Sequence, residues 1–192
     1  MTQIRAFIAI DLPQSIQDSI EKQTARLQQT LGNQIIRWTP IQNMHLTLKF
    51  LGNIPIQHVD FLKQMLTQIA DSHSAFDLQI GGLGSFPSGK LPRVLWLGIQ
   101  PAAKLISIQR DVDTGASRLG YEKEARAFSP HLTLGRVRQN IQPSDLQKIR
   151  SAFDTFQLGK IPSARVDSVH LYQSELNSKG SIYTKLFSVK LK

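Results

Sequence analysis

Apolar and polar positions along the chain follow two rhythms. Ile4 to Leu12 is a nearly unbroken apolar run that reads as a buried strand. Pro13 follows at once, and its fixed φ suits the first turn of a helix whose Ile16, Ile20, Leu27 and Leu31 share one face before Gly32 stops it. Met44 to Leu51 returns to the strand rhythm, and Val59, Leu62, Leu66 and Ile69 mark a second amphipathic helix. Phe76 to Leu83 and Val94 to Ile99 are predicted strands on either side of a Gly, Ser and Pro-rich loop from Gly84 to Pro92.

The second half repeats the theme. Pro101 opens a helix with Leu105, Ile108, Val112 and Leu119 on one stripe, Phe128 to Val137 reads as a strand, and Pro143 opens a short helix through Leu146 and Ile149. Three more strands are expected near Phe156 to Ile161, Arg165 to Tyr172 and Tyr183 to Leu191. Strands clustered between helices, with several hairpins, predict an α+β fold of mainly antiparallel sheet. No linker or low-complexity tract divides the chain, so residues 1–192 are expected to form a single catalytic domain.

Composition narrows the chemistry. The 192 residues, 41% of them hydrophobic, suffice for a sizeable core. Lys and Arg outnumber Asp and Glu 23 to 14, so the chain carries +9 and favours an anionic partner, although net charge speaks to attraction and not to chemistry. With no cysteine there is neither disulfide nor thiol nucleophile, and the common zinc frameworks are excluded; a reducing, cytoplasmic setting fits. The apolar stretch Ala6 to Ile10 ends at Asp11, too short for a signal h-region or a membrane span, so no membrane association is expected.

One internal similarity carries a reaction. Met44-His45-Leu46-Thr47-Leu48 and Pro130-His131-Leu132-Thr133-Leu134 place two histidines 86 positions apart, a little under half the chain, which suggests two related halves. In a strand, His45 and Thr47 share one face while Leu46 and Leu48 share the other, and the same holds for His131, Thr133, Leu132 and Leu134. If the halves pack with these strands facing, two imidazoles and two hydroxyls line one cleft. In-line displacement at phosphorus needs a base on the attacking oxygen and an acid on the leaving one, and two imidazoles near pH 7 can divide those roles. The threonine hydroxyls suit non-bridging phosphate oxygens, and Arg136 is the natural charged clamp. Its odd spacing from His131 would place it on the opposite face of an unbroken strand, so a bulge or strand end near Gly135 is required. Neither histidine has another metal-ligating side chain within two residues on its strand face, which argues against a metal site; no metal and no cofactor is expected.

At these residues the sequence resembles the 2H phosphoesterase superfamily, and within it the RNA 2′,3′-cyclic phosphodiesterases long labelled 2′-5′ RNA ligases. The likeness runs from Arg5-Ala6-Phe7-Ile8-Ala9-Ile10 through Trp38, Pro40 and Asn43 into His45 to Gly52. It continues through Gly84-Ser85-Phe86-Pro87, Pro92 to Gly98 and Pro130 to Arg136, and closes with Leu171 to Leu176, Gly180 and Tyr183. The resemblance implies a bilobal fold with two pseudo-symmetric lobes, one histidine motif in each (45–48 and 131–134) and the cleft between them. It implies His45 as proton donor, His131 as proton acceptor, and Thr47, Thr133 and Arg136 as phosphate-binding residues. The implied partner is RNA with a 2′,3′-cyclic phosphate end, tRNA fragments and cyclic nucleotides being the candidates, cleaved to a 2′-phosphomonoester by a monomer.

Two other functions stay open at this point: a module that binds RNA or a nucleotide without turnover, and an RNA ligase running the reverse reaction. Gly84 to Lys90 fits the start of a phosphate-binding loop, but Leu91 replaces the required Ser or Thr and a strand follows, so the segment is better read as a mobile loop offering Lys90 and Arg93 to an RNA backbone. His58 and His73 are expected to face solvent; His170, in a strand with Tyr172 two positions on, could line the cleft but is expected to occupy an ordinary sheet position. Trp38, Phe50, Trp96 and Tyr183 are candidate stacking surfaces for bases.

Overall fold

The computed structural model describes residues 2–88, 91–177 and 180–192. Its elements in chain order are β1 (Gln3–Asp11), α1 (Gln14–Ile35), β2 (Ile36–Trp38), a 3-10 turn (Ile41–Asn43), β3 (His45–Pro55) and α2 (His58–Ala70). These are followed by β4 (Phe76–Leu78), β5 (Ile80–Phe86), β6 (Val94–Ile99), α3 (Ala103–Arg118) and β7 (His131–Val137). The chain ends with α4 (Pro143–Thr155), β8 (Ala164–Val166), β9 (Ser168–Asn177) and β10 (Gly180–Lys190).

The strands pair antiparallel in the order β10-β9-β1-β3-β7-β6-β5, with β2 on the far end of β7, and β4 and β8 form a separate two-stranded ribbon. The join between β3 and β7 is a single residue pair, Leu46 opposite Leu132. The fold is therefore the predicted α+β, with two antiparallel half-sheets meeting at a narrow seam. The two motif strands lie edge to edge at that seam, not face to face across a gap.

One side of each half-sheet is apolar. Ile8, Ile10, Leu46, Leu95, Leu97 and Leu132 are all fully buried, because strand alternation sends them to the side that the helices cover. Among the helices, α1 packs on β2 and α4, while α2 and α3 pack on each other, α2 against β9 and β10 and α3 against β3. The opposite side carries the polar residues of both motifs.

Gly32 stops the long helix as expected: its left-handed φ of 63° and ψ of 174° are not helical and kink the backbone, a conformation open to glycine at little cost, and a further short turn runs to Ile35 before delivering β2 to the edge of β7. The segment 156–161 is a connection and not a strand. Its apolar residues still pack inward, Ile161 fully and Phe156 and Leu158 in part, but Gly159 bonds through its backbone N–H to the Gln23 side chain instead of a neighbouring strand.

Candidate active site

His45 and His131 each begin a strand, and both imidazoles are held alike. His45 Nδ1 lies 2.8 Å from the Asn43 carbonyl and His131 Nδ1 lies 2.8 Å from the Ser129 carbonyl, each two residues back along the chain. A carbonyl only accepts, so the proton sits on Nδ1 in both neutral rings. Both Nε2 atoms are without a hydrogen-bond partner among the described residues. Asn43 is itself anchored, its side-chain amide donating to the Ser181 carbonyl in β10 at 3.1 Å.

The Leu46–Leu132 pair acts as a local twofold axis. Continuing its antiparallel register by one residue sets His45 opposite Thr133 and Thr47 opposite His131, so the two imidazoles are diagonal neighbours. Such diagonals separate Cβ atoms by about 7–8 Å in a regular sheet, room enough for a tetrahedral phosphate between two ring nitrogens.

The position of Arg136 follows from a bulge. Thr133 pairs with Trp96 but Gly135 pairs with Leu95, so Leu134 is an extra residue in β7. Leu134 and Gly135 are consecutively buried and Arg136 is exposed, opposite Val94. Val94, Trp96 and Gly98 share one face of β6, and Trp96 and Gly98 pair with Thr133 and His131. The bulge thus returns Arg136 to the face that carries the histidines. Gly135 allows it: a Cβ there would stand 2.6 Å from Ile36 Cγ2 and 3.0 Å from the Arg37 carbonyl of β2.

β3 has the matching irregularity. Thr47 pairs with Ala9 and Lys49 with Ile8, leaving Leu48 as the extra residue. The position equivalent to Arg136 is then Phe50, which is 65% exposed. Lys49, equivalent to Gly135, turns inward, where its ammonium is bound by Asp113 at 2.6 Å and the Glu122 carbonyl at 2.5 Å.

The surroundings of the two histidines differ. Phe7 stacks on His45 at 4.7 Å and on Tyr172 at 5.3 Å, and Tyr183 meets His45 edge-on at 5.2 Å. Asp11, the partner of His45 in the β1–β3 ladder, receives the Tyr172 hydroxyl at 2.7 Å and Lys185 Nζ at 2.8 Å, with His170 Nε2 at 3.5 Å. Burial lowers the His45 pKa, helped by the charge of His131 and opposed by the Asn43 carbonyl and the Asp11 carboxylate. Burial would raise Asp11, but hydrogen bonds from Lys185 and Tyr172 and the charge of His170 outweigh it and hold the carboxyl below its ordinary value. His131 instead packs on Phe86 edge-on at 5.0 Å and Trp96 at 6.1 Å. Trp96 lies over Gly84, where a Cβ would collide with its indole.

Sequence reading missed Asp11, Tyr172 and Lys185. The alternation Phe7, Ala9, Asp11 in β1 puts an acid on the polar face, but only the pairing with β3 shows that this face is that of His45. His170 is 4% exposed and lies against Asp11 and Ser168, more enclosed than an ordinary sheet position. His58 and His73 do not face solvent: half-buried, His58 meets the Tyr121 hydroxyl at 2.8 Å and His73 meets Asp111 at 2.9 Å, ties between α2 and the α3 region. Of the loop cations, Lys90 lies outside the described residues and Arg93 is exposed, its backbone N–H bonded to the Phe86 carbonyl. Among the described residues, no helix is long and apolar enough to cross a membrane, and no three His, Asp or Glu side chains converge as a metal site would need.

Two histidines, two threonines and an arginine thus share one face of an antiparallel sheet, and comparison with known proteins gives the family of the chain. The model of the 2′-5′ RNA ligase superfamily matches residues 15–177, and the chain belongs to that superfamily. It is 31% identical over 185 residues to the RNA 2′,3′-cyclic phosphodiesterase of Methanothermobacter thermautotrophicus, covering 95% of this chain and 96% of the relative. The protein of the same name from Aquifex aeolicus is 31% identical over 188 residues, covering 96% and 95%. Among solved structures, E. coli LigT complexed with 3′-AMP superposes with a TM-score of 0.74 at 27% identity, with 99% of each chain covered.

Proposed function

We propose that this protein is an RNA 2′,3′-cyclic phosphodiesterase: it hydrolyses the 2′,3′-cyclic phosphate of an RNA end or a nucleotide to a 2′-phosphomonoester, without a metal, by two-histidine acid-base catalysis. The observation that carries this reading is the matched pair of Nδ1-to-carbonyl bonds at Asn43 and Ser129. With Nδ1–H committed in both rings, each Nε2 is a base when the ring is neutral and an acid when it is protonated, so one fixed geometry serves both roles.

In the proposed reaction His131 Nε2 takes a proton from a water that attacks phosphorus. The bond from phosphorus to O3′ breaks, and His45 Nε2–H gives its proton to O3′, leaving the phosphate on O2′ and a free 3′ hydroxyl. Thr47 and Thr133 donate to the non-bridging oxygens and Arg136 balances their charge. Assigning the acid role to His45 draws support from Asp11: its carboxylate favours the imidazolium against the burial that opposes it. A bound phosphate anion adds to the same side. Phe50 is the open aromatic on this face onto which a nucleobase can stack. In this reading residues 1–192 act as one catalytic domain with one motif in each half, and as a monomer.

The test is turnover of 2′,3′-cyclic nucleotides in EDTA. The wild type is expected to be active, and His45→Ala and His131→Ala to lose at least about 10²-fold each. Full activity in either variant, or a requirement for added metal, contradicts the mechanism.

A further inference from the structure

Arg37 stands directly opposite Arg136 in the β2–β7 ladder. Cross-strand partners point to the same side of a sheet, so Arg37 shares the face of Arg136, Thr133 and His131. The neighbouring pairs agree, since Ile36, opposite Val137, is fully buried while Arg37 is exposed. Two arginines facing each other across a ladder repel, and like charges at that position cost stability. Neither guanidinium has an acidic or hydrogen-bonding partner among the described residues to offset that cost. Their charges are left for something that is not protein.

From this pair, and resting on the function proposed above, we infer that the site is built for an RNA strand and not for a mononucleotide: Arg136 serves the cyclic phosphate and Arg37 binds the next phosphodiester upstream. The spacing fits, because β2 lies one strand, about 4.8 Å, from β7 on the same edge that β3 meets, but further along it, past the Leu46–Leu132 pair. A guanidinium there stands outside the space between the two histidines but within reach of a chain leaving it. A mononucleotide has no group to place at Arg37, whereas an oligonucleotide ending in a cyclic phosphate has an anion there. A second phosphate beside Arg37 relieves the like-charge pair further than the cyclic phosphate alone.

The test compares a 2′,3′-cyclic mononucleotide with a short oligoribonucleotide ending in a 2′,3′-cyclic phosphate, each over a range of salt. For Arg37→Gln we expect kcat/KM on the oligonucleotide to fall about tenfold, as for one charge-assisted contact. Its log-log salt slope should become shallower by about 0.7, one single-strand phosphate contact. Activity on the mononucleotide should stay within about twofold, which also shows that the variant folds, and Arg37→Lys should retain most of the oligonucleotide activity. Equal losses on both substrates, or none on either, overturn the inference while leaving the proposed activity standing. A wild type that turns over neither substrate overturns both.

Discussion

Gly135 links backbone geometry to chemistry, and Gly135→Ala measures that link. The added Cβ would meet Ile36 Cγ2 at 2.6 Å, the Arg37 carbonyl at 3.0 Å and the Trp38 Cα at 3.2 Å. Two of these three are backbone and the third is a fully buried side chain, so no flexible group can give way and β2 or the bulge must move. Overpacking of this kind costs about 1–3 kcal/mol. At 2–4 °C per kcal/mol for a domain of this size, the melting temperature should fall by roughly 2–12 °C. Moving the bulge also misaims Arg136. Loss of a charge-assisted contact costs about 1.5–3 kcal/mol, or roughly 10- to 150-fold in kcat/KM on a cyclic nucleotide. Gly81→Ala is the control, since nothing lies within 4 Å of its Cβ position and its φ is ordinary. A double-mutant cycle separates the two effects: if Gly135→Ala acts on turnover through Arg136, adding Arg136→Ala should cost little more. An unchanged melting temperature with unchanged turnover would refute the steric reasoning. Fully additive losses would refute the route through Arg136.

Further outcomes follow from other contacts. An NMR titration should find the His45 imidazole below the ordinary histidine range, and Asp11→Asn should lower it further by removing the one carboxylate that favours its charged form. Fewer rings are then imidazolium at neutral pH, and kcat/KM at pH 7 should fall with them. Phe50→Ala should raise KM for cyclic nucleotides by roughly fivefold or more with kcat nearly unchanged, and Phe50→Trp should restore it, as a stacking surface requires. Lys49→Met leaves Asp113 without its partner in a largely closed setting. It should cost about 3 kcal/mol by thermal melting, at the lower end of the range for a broken buried pair. Burial would raise the Asp113 pKa, but Lys49 and the Glu124 backbone N–H outweigh it and hold it below its unfolded value. The wild-type pair therefore stabilises fully above the ordinary carboxylate range and is lost as pH falls through the lowered value, and the Lys49→Met deficit should shrink over the same acid window.

The parts of the fold legible in the sequence are those that local physics decides. Pro13, Pro101 and Pro143 mark helix starts because proline fixes φ where no N–H is needed, and α1, α3 and α4 begin within two residues of them. Strand alternation sorts Leu46 and Leu132 from His45 and His131. The spacing of Arg136 demands a bulge near Gly135, and the register has one at Leu134. Long-range pairing decides the rest. β2 is three residues long and exists because the edge of β7 is free to pair. The apolar residues of 156–161 have a strand-like look but pack inward from a connection, with no strand beside them. The cluster of Asp11 with Tyr172 and Lys185 joins residues 161 and 174 positions apart, a proximity no local pattern carries. His58 and His73 look like surface positions on and after a helix because their partners, Tyr121 and Asp111, come from the next helical region.

The central claim is that the two histidines act in line on a cyclic phosphate, with His45 releasing O3′. A phosphorus NMR spectrum of the product, taken after wild-type enzyme consumes adenosine 2′,3′-cyclic phosphate in EDTA, tests it most directly. A single 2′-phosphomonoester resonance is the predicted result. A 3′-phosphomonoester, a mixture of the two, or unconsumed cyclic phosphate would contradict it.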